Sequence, residues 1–379
     1  MSNTLKFCCP CLFGLESILA AEAKEIGAGG VVADNGKVSF FGDETMIAKS
    51  NLWLRTAERV LLVLGEFTAR TFEELFNGVR EIDFSRYIKS DYAFTVTGWS
   101  LNSDLSSVPA CQSIIKKAVV KSLSDVYNIS WFEESGPQVQ IRFSIHKNAV
   151  TIALDTSGVP LHKRGYRAQS NEAPIKETLA AGIVSLTRLY DDSNVYDPFC
   201  GSGTLVIEAT LKALNIAPGI NRHFAFEKWL DGGTALLTSE RKKAVAAVKR
   251  DCEFKAFAFD IDPECVKLTM ENARKAGVAS RIKAEVRDVR EFSIPTERGI
   301  VFTNPPYGER LLDIQQANEL YKIMGQVFEK RNKLSYYIIS PSEEFEQYFG
   351  ARADRKRKLY NGMIKCDVFM YFRNQKKED

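Results

Sequence analysis

Between residues 194 and 340, short apolar runs alternate with longer amphipathic stretches, and this pattern leaves few architectures open. The runs are Asn194–Asp197, Ala256–Asp260, Ile282–Glu285, Ile300–Thr303 and Leu334–Ser340. They are too short for helices, and the fourth is β-branched and bounded by Arg298 and Pro305, so they read as buried strands. Helical patterns over 204–214, 236–250, 264–276 and 317–330 lie between or beside them. The alternation predicts an α/β fold with a doubly wound, mainly parallel sheet.

Polar residues stand at the ends of these strands. The first runs into Asp197-Pro198-Phe199-Cys200-Gly201-Ser202-Gly203-Thr204 and then a helix. Gly201 and Gly203 allow a tight turn and a close backbone approach, and the helix start offers unpaired N–H groups. Asp197 is a poor neighbour for pyrophosphate and a good one for a cationic ligand. No lysine follows the turn as in a phosphate-binding P-loop, and Leu205-Val206 breaks the dinucleotide fingerprint. Asp260 ends the second strand, where a carboxylate can accept both hydroxyls of a ribose. Asp288 follows the third and can accept from an adenine amine. Asp262 and Glu285 compete for these roles, and each acid also suits a helix cap or first turn.

The fourth strand ends in Asn304-Pro305-Pro306-Tyr307. The prolines stop the strand and stiffen the turn. The Asn304 side chain and the Pro305 carbonyl can both accept from an exocyclic amine, and the Tyr307 ring can stack on a base. Asn-Pro is also a common turn opener, so the motif gains force from the strand tips around it.

The 379 residues, 45% apolar and 26% charged, suit a soluble globular chain of two or three domains. No apolar run nears the ~18 residues of a membrane span, and Met1–Lys6 lacks a signal-peptide pattern; the expectation is a cytoplasmic protein that does not bind membranes. The eight cysteines are scattered and are expected to be reduced. Cys8-Cys9-Pro10-Cys11 has the wrong spacing for a zinc knuckle and no partner motif, so no metal is expected. Residues 1–160 hold 15 Lys/Arg against 18 Asp/Glu; the rest hold 36 against 30, with 9 against 4 in residues 351–379. Such a balance limits any nucleic-acid contact to local patches.

Residues 5–65 follow a β-α-β-β-α-β order, the ferredoxin-like pattern, with a hairpin turn at Asp34-Asn35-Gly36. Residues 66–165 form a second α/β piece with a long helix over 108–127 and a hairpin around Lys147-Asn148. Ser157-Gly158-Val159-Pro160 marks a boundary. Next come His162, Lys163, Arg164, Tyr166 and Arg167 around Gly165. This set suits phosphate contact with base stacking, and equally a solvated linker. A helix over 173–189 is opened by Pro174, and the tail folds back as an antiparallel pair around Asn361-Gly362.

These residues resemble the class I S-adenosylmethionine-dependent methyltransferases, residues 197–204 matching the cofactor loop. Asn304-Pro305-Pro306-Tyr307 resembles the catalytic motif of members that methylate exocyclic amines. The longer Asn304–Arg310 phrase is similar to that of RNA guanine-N2 methyltransferases. So are Leu161–Arg167, Ala173–Leu179 and Ile216-Ala217-Pro218-Gly219. The bacterial 23S rRNA guanine-N2 group matches best. The resemblance implies a ferredoxin-like domain over 1–65, a THUMP RNA-binding domain over 66–165 and a Rossmann-like methyltransferase domain over 166–379. It implies S-adenosylmethionine held by Thr178, Asp197, Pro198, Cys200, Gly201, Ser202, Gly203, Thr204, Asp260, Ile261, Asp288, Val289 and Asn304. Asn304, Pro305, Pro306 and Tyr307 would carry the transfer, and His162, Lys163, Arg164, Tyr166 and Arg167 would meet RNA. The substrate would be structured RNA, 23S rRNA or alternatively tRNA. No metal or covalent nucleophile is implied, so Cys200 is expected to be a turn residue. Adenine-N6 and glutamine-amide methyltransferases share the motif, and the first 165 residues argue against both. A SAM-binding RNA or ribosome-assembly factor without catalysis is the other class, and the intact Asn304 and Asp197 argue against it. Oligomeric state is not indicated.

Overall fold

The structure is a computed structural model that describes residues 4–167, 175–308, 313–329 and 333–372. Contacts divide the chain into two units: Met1–Cys11, Leu19–Leu161 and His223–Lys242 in one, Leu12–Ile18, His162–Arg222 and Lys243–Asp379 in the other.

In the first unit, β1 (Leu5–Pro10) buries every second side chain, the pattern of a strand with one face on a core. β2 (Gly29–Asp34) and β3 (Lys37–Gly42) close on a two-residue turn, with Asp34 opposite Lys37. Gly36 there has φ +70°, a conformation that favours glycine. β4 (Leu61–Thr68) completes the ferredoxin-like order. β5 (Ala93–Leu101) and β6 (Gln138–His146) pair in parallel. Parallel neighbours need a crossover, and the helix Val108–Tyr127 supplies it. β7 (Ala149–Asp155) returns antiparallel to β6. The sheet order is β2-β3-β1-β4-β7-β6-β5. Because β4 pairs with both β1 and β7, the two α/β pieces read in the sequence share one continuous sheet.

One segment of this unit comes from far along the chain. Phe226 and Ala225 donate backbone N–H groups to Thr156 O (3.1 Å) and Ser157 O (3.2 Å). The buried Trp229 ring meets Tyr87 edge-on at 6.1 Å. The short helix Phe226–Trp229 that carries these contacts has too few residues to show a period.

In the second unit, β8 (Asn194–Asp197), β9 (Lys255–Asp260), β10 (Ile282–Val286), β11 (Gly299–Thr303) and β12 (Leu334–Ser340) are parallel. β13 (Arg355–Asn361) and β14 (Ile364–Phe372) form the terminal hairpin. The order is β10-β9-β8-β11-β12-β14-β13. β14 runs antiparallel to both β12 and β13, so β13 points the same way as β12, and Asn361 lies at the same carboxyl edge as Asp197, Asp260 and Thr303. Chain order reverses between β8 and β11, the switch point where such sheets bind ligands. Two apolar cores flank the sheet, one around Leu179, Leu205 and Phe302, the other around Tyr196, Tyr321 and Phe345. Leu15, from the start of the chain, is fully buried in the first of them.

The helix expected over 173–189 is Glu177–Val184; Ala173 and Pro174 lie outside the described residues, as do Glu309 and Arg310 of the longer motif. Cys8 and Cys9 lie within β1.

Candidate active site at the carboxyl edge of the second sheet

Asp197 ends β8 and is 1% exposed. Its carboxylate accepts from Phe199 N–H (3.1 Å) and from the Thr303 hydroxyl (2.9 Å). Burial, with Asp260 nearby adding like charge, pushes its pKa up to about 7 against those two hydrogen bonds. Thr303 ends β11 immediately before Asn304, so one hydrogen bond ties the tip of β8 to the Asn304-Pro305-Pro306-Tyr307 turn.

The loop beyond Asp197 is braced from two sides. Cys200 N–H donates to Phe259 O at 2.8 Å, and Gly201 N–H donates to the Asp260 carboxylate at 2.9 Å. From the helix Pro263–Lys275, Thr269 donates to Gly201 O (3.0 Å) and Asn272 to Ser202 O (2.9 Å). Gly203 has φ +79°, and a Cβ there would sit 2.7 Å from the Thr269 methyl. Both facts require glycine. Burial raises the Cys200 thiol well above its ordinary range, so it stays protonated, the state of a turn residue rather than a nucleophile.

Asp260 accepts from Gly201 and, at 3.1 Å, from Asp262 N–H, and burial raises its pKa. Asp262 instead caps its helix, accepting from Glu264 N–H at 2.9 Å. Glu285 is paired with Lys283 and Arg287. Ile261 is 67% exposed beside Asp260, an apolar face at the sheet's edge. Asp288 accepts from Arg290 N–H at 2.8 Å and pairs with its guanidinium at 2.7 Å. Val289 is buried in a core cluster, and Thr178 is fully buried in its helix.

Asn304 is half-buried, and its Oδ1 is buried without a hydrogen-bond partner among the described residues. An unpaired buried acceptor costs about 1–3 kcal/mol, so it marks a position awaiting a donor. Pro305 is buried behind it, and Pro306 and Tyr307 are half-buried. The Tyr307 hydroxyl accepts from Asn361 Nδ2 at 2.7 Å. β11 and β13 lie three places apart in the sheet, roughly 14 Å at the usual strand spacing, so this contact carries Tyr307 across the sheet's edge.

The basic segment after residue 161 divides. Arg164 is buried and pairs with Glu208 (3.5 Å), which also accepts from the Tyr166 hydroxyl (3.1 Å). Burial pushes the Tyr166 phenol well up, helped by the Glu208 charge. Arg167 donates to Thr204 Oγ1 (2.7 Å) and to Ile175 O (2.9 Å) and lies 3.6 Å from Glu177. Expected as an RNA-facing set, Arg164, Tyr166 and Arg167 instead brace the interior beneath the glycine loop, because two buried glutamates draw them in. Lys163 is exposed and His162 half-buried. Removing one partner of a buried pair leaves the other charge stranded, typically at a cost of about 3–5 kcal/mol. Arg164→Ala is therefore expected to lower the denaturation midpoint sharply, and Lys163→Ala to leave it in place, as chemical denaturation would show.

The residues missed by sequence reasoning are Thr303, Thr269, Asn272 and Asn361. Three lie on other elements and act only through tertiary contact. Thr303 adjoins Asn304, and a hydroxyl at a strand's last position was the one available signal.

A family model described as RMKL-like, methyltransferase domain, matches residues 164–369. An RlmL ferredoxin-like domain matches 6–61, and a THUMP domain matches 69–155. YpsC of Bacillus subtilis (strain 168), named among RNA methyltransferases, is 43% identical over 95% of this chain and 94% of its own length. The ribosomal RNA large subunit methyltransferase K/L of Shewanella baltica (strain OS155) is 33% identical over 94% of this chain, which spans 52% of that longer protein. SMU.472, solved in complex with SAH, superposes over 100% of both chains with a TM-score of 0.93 and 40% identity. The buried Asp197, the half-buried Asp260, the glycine loop, the exposed Ile261 and the Asn304 oxygen, unpaired among the described residues, fit an S-adenosylmethionine-type ligand, with its cationic, hydroxyl-bearing and flat apolar parts. The chain belongs to the RMKL-like family of S-adenosylmethionine-dependent methyltransferases, with ferredoxin-like and THUMP domains ahead of its methyltransferase domain.

Proposed function

We propose that this protein methylates the N2 amine of a guanine in structured RNA, in 23S ribosomal RNA. The observation that carries this reading is the buried Asn304 Oδ1 at the sheet's switch point, without a partner among the described residues. The THUMP match and the K/L relative's name support RNA, and ribosomal RNA in particular.

S-adenosylmethionine supplies an activated methyl group when bound. Asp197 would hold its cationic part, Asp260 its ribose hydroxyls, and Ile261 would lie against the base. Asp288 would accept from the adenine amine, although Arg290 already takes up part of its capacity. Pro198 and Cys200 to Thr204 would approach through backbone, as would Val289, with Thr178 beneath them.

A guanine amine is a weak nucleophile because its lone pair is delocalised into the ring. Asn304 Oδ1 and the Pro305 carbonyl would accept hydrogen bonds from its two N–H groups and turn the lone pair toward the methyl group, and the amine would shed one proton to solvent once the N–C bond has formed. Tyr307 would stack on a base drawn out of its helix, and Pro306 would keep the loop stiff. Positioning and exclusion of water supply the rate. His162 and Lys163 remain as RNA contacts.

The test is methyl transfer with labelled cofactor to rRNA and tRNA from cells lacking the gene. Label in 23S rRNA alone is the expected result. Label in tRNA alone would keep the site chemistry and overturn the ribosomal assignment.

A further inference from the structure

The terminal hairpin and the N-terminal segment share an aromatic pair that the methyl-transfer site does not use. Phe13, in the N-terminal segment that packs in the second unit, is 58% exposed. Its ring meets that of Tyr360 on β13 at 6.2 Å, edge to face. An exposed phenylalanine on a loop would ordinarily move freely, yet this one is tethered. Arg357 donates through Nε (2.9 Å) and Nη2 to Gly14 O, and through Nη2 to Ser17 Oγ (2.9 Å). Gly14 has φ +90°, and a Cβ there would lie 2.5 Å from Lys358 O. The loop is thus pressed against β13 at the one residue that permits it.

The pair sits at the end of β13, the strand that also ends in a residue holding the Tyr307 loop. Tyr360 precedes Asn361, whose amide holds the Tyr307 hydroxyl. The charges nearby are mixed toward positive. Tyr360 pairs across the hairpin with Lys365, and Lys358 with Asp367; Lys358 and Lys365 are exposed. Glu16 is engaged by Gly14 N–H at 2.9 Å. Met363, at the tip, is 98% exposed. An aromatic pair beside a lysine, on the strand that braces a ring placed for a base, is the equipment of single-stranded nucleic-acid sites.

We propose that Phe13 and Tyr360 form a stacking platform for an RNA nucleotide flanking the target, with Lys365 beside its phosphate. This rests on the RNA reading above, and the experiment separates the two. Steady-state methylation of RNA from cells lacking the gene would be measured with full-length wild type, Phe13→Ala, Tyr360→Ala, Phe13→Trp and Tyr307→Ala. Loss of one base–aromatic stack is expected to raise KM for RNA roughly tenfold in each of the first two alanine variants. At saturating RNA their kcat, and the melting-temperature rise with S-adenosylhomocysteine, should match wild type, and Phe13→Trp should keep the wild-type KM. Wild-type KM in both Phe13→Ala and Tyr360→Ala, with activity lost in Tyr307→Ala, would overturn the platform alone. Unchanged activity in Tyr307→Ala would overturn the base site on which it rests.

Discussion

Asn304→Ala is expected to lower the rate of methyl transfer by about 10²–10³-fold, the usual cost of removing one preorganised hydrogen-bonding group at a reacting centre. Asn304 Oδ1 is buried and has no hydrogen-bond partner among the described residues, so its hydrogen-bonding capacity is open to a substrate. A group satisfied only when substrate arrives contributes to the reacting state rather than to folding. Melting temperature should therefore hold or rise slightly, since alanine removes an unsatisfied acceptor. S-adenosylhomocysteine should still raise it through Asp197 and Asp260. Asn304→Asp keeps an acceptor but brings a second charge near Asp197 and should recover only part of the rate. Single-turnover kinetics would check both variants; a rate within a few-fold of wild type for Asn304→Ala would remove Asn304 from the chemistry.

Asp197 is expected to make both stability and cofactor binding depend on pH. Its carboxyl titrates at about 7 in the folded protein, against about 3.9 in an unfolded chain. Between those values the folded state binds more protons. Its stability from this group thus falls as pH rises from about 4 to about 7, then levels off. A cationic ligand favours the ionised form, so cofactor affinity should weaken by up to about tenfold per unit as pH drops below 7. Asp197→Asn should flatten both dependences. Asp197→Ala should cost about 10²-fold in affinity, the scale of hydrogen bonds to a charged group. Melting curves from pH 5.5 to 8.5, with and without S-adenosylhomocysteine, would read both effects.

The second unit was legible because a strand buried on both faces has a distinctive composition, and its tip residues follow in sequence. Asp197, Asp260 and Thr303-Asn304 all fall at the predicted strand ends. What could not be read is where the chain leaves its own neighbourhood. Leu15 enters a core of the second unit, and 223–242 join the first unit. Both packings depend on surfaces formed elsewhere. The basic segment misled for a related reason. Charge implies solvent unless a buried partner exists, and Glu208 is an unremarkable helix residue in the sequence while lying fully inside the fold. Asn361 reads as a turn residue, and only the three-strand reach of the Tyr307 loop gives it a partner.

Whether the Asn304 site methylates a guanine amine in RNA is decided by nucleoside mass spectrometry. RNA from cells lacking the gene would be incubated with the purified protein and S-adenosylmethionine, then digested to nucleosides. N2-methylguanosine, absent with Asn304→Ala, is the expected result. N6-methyladenosine instead, or no new methylated nucleoside, would contradict the claim.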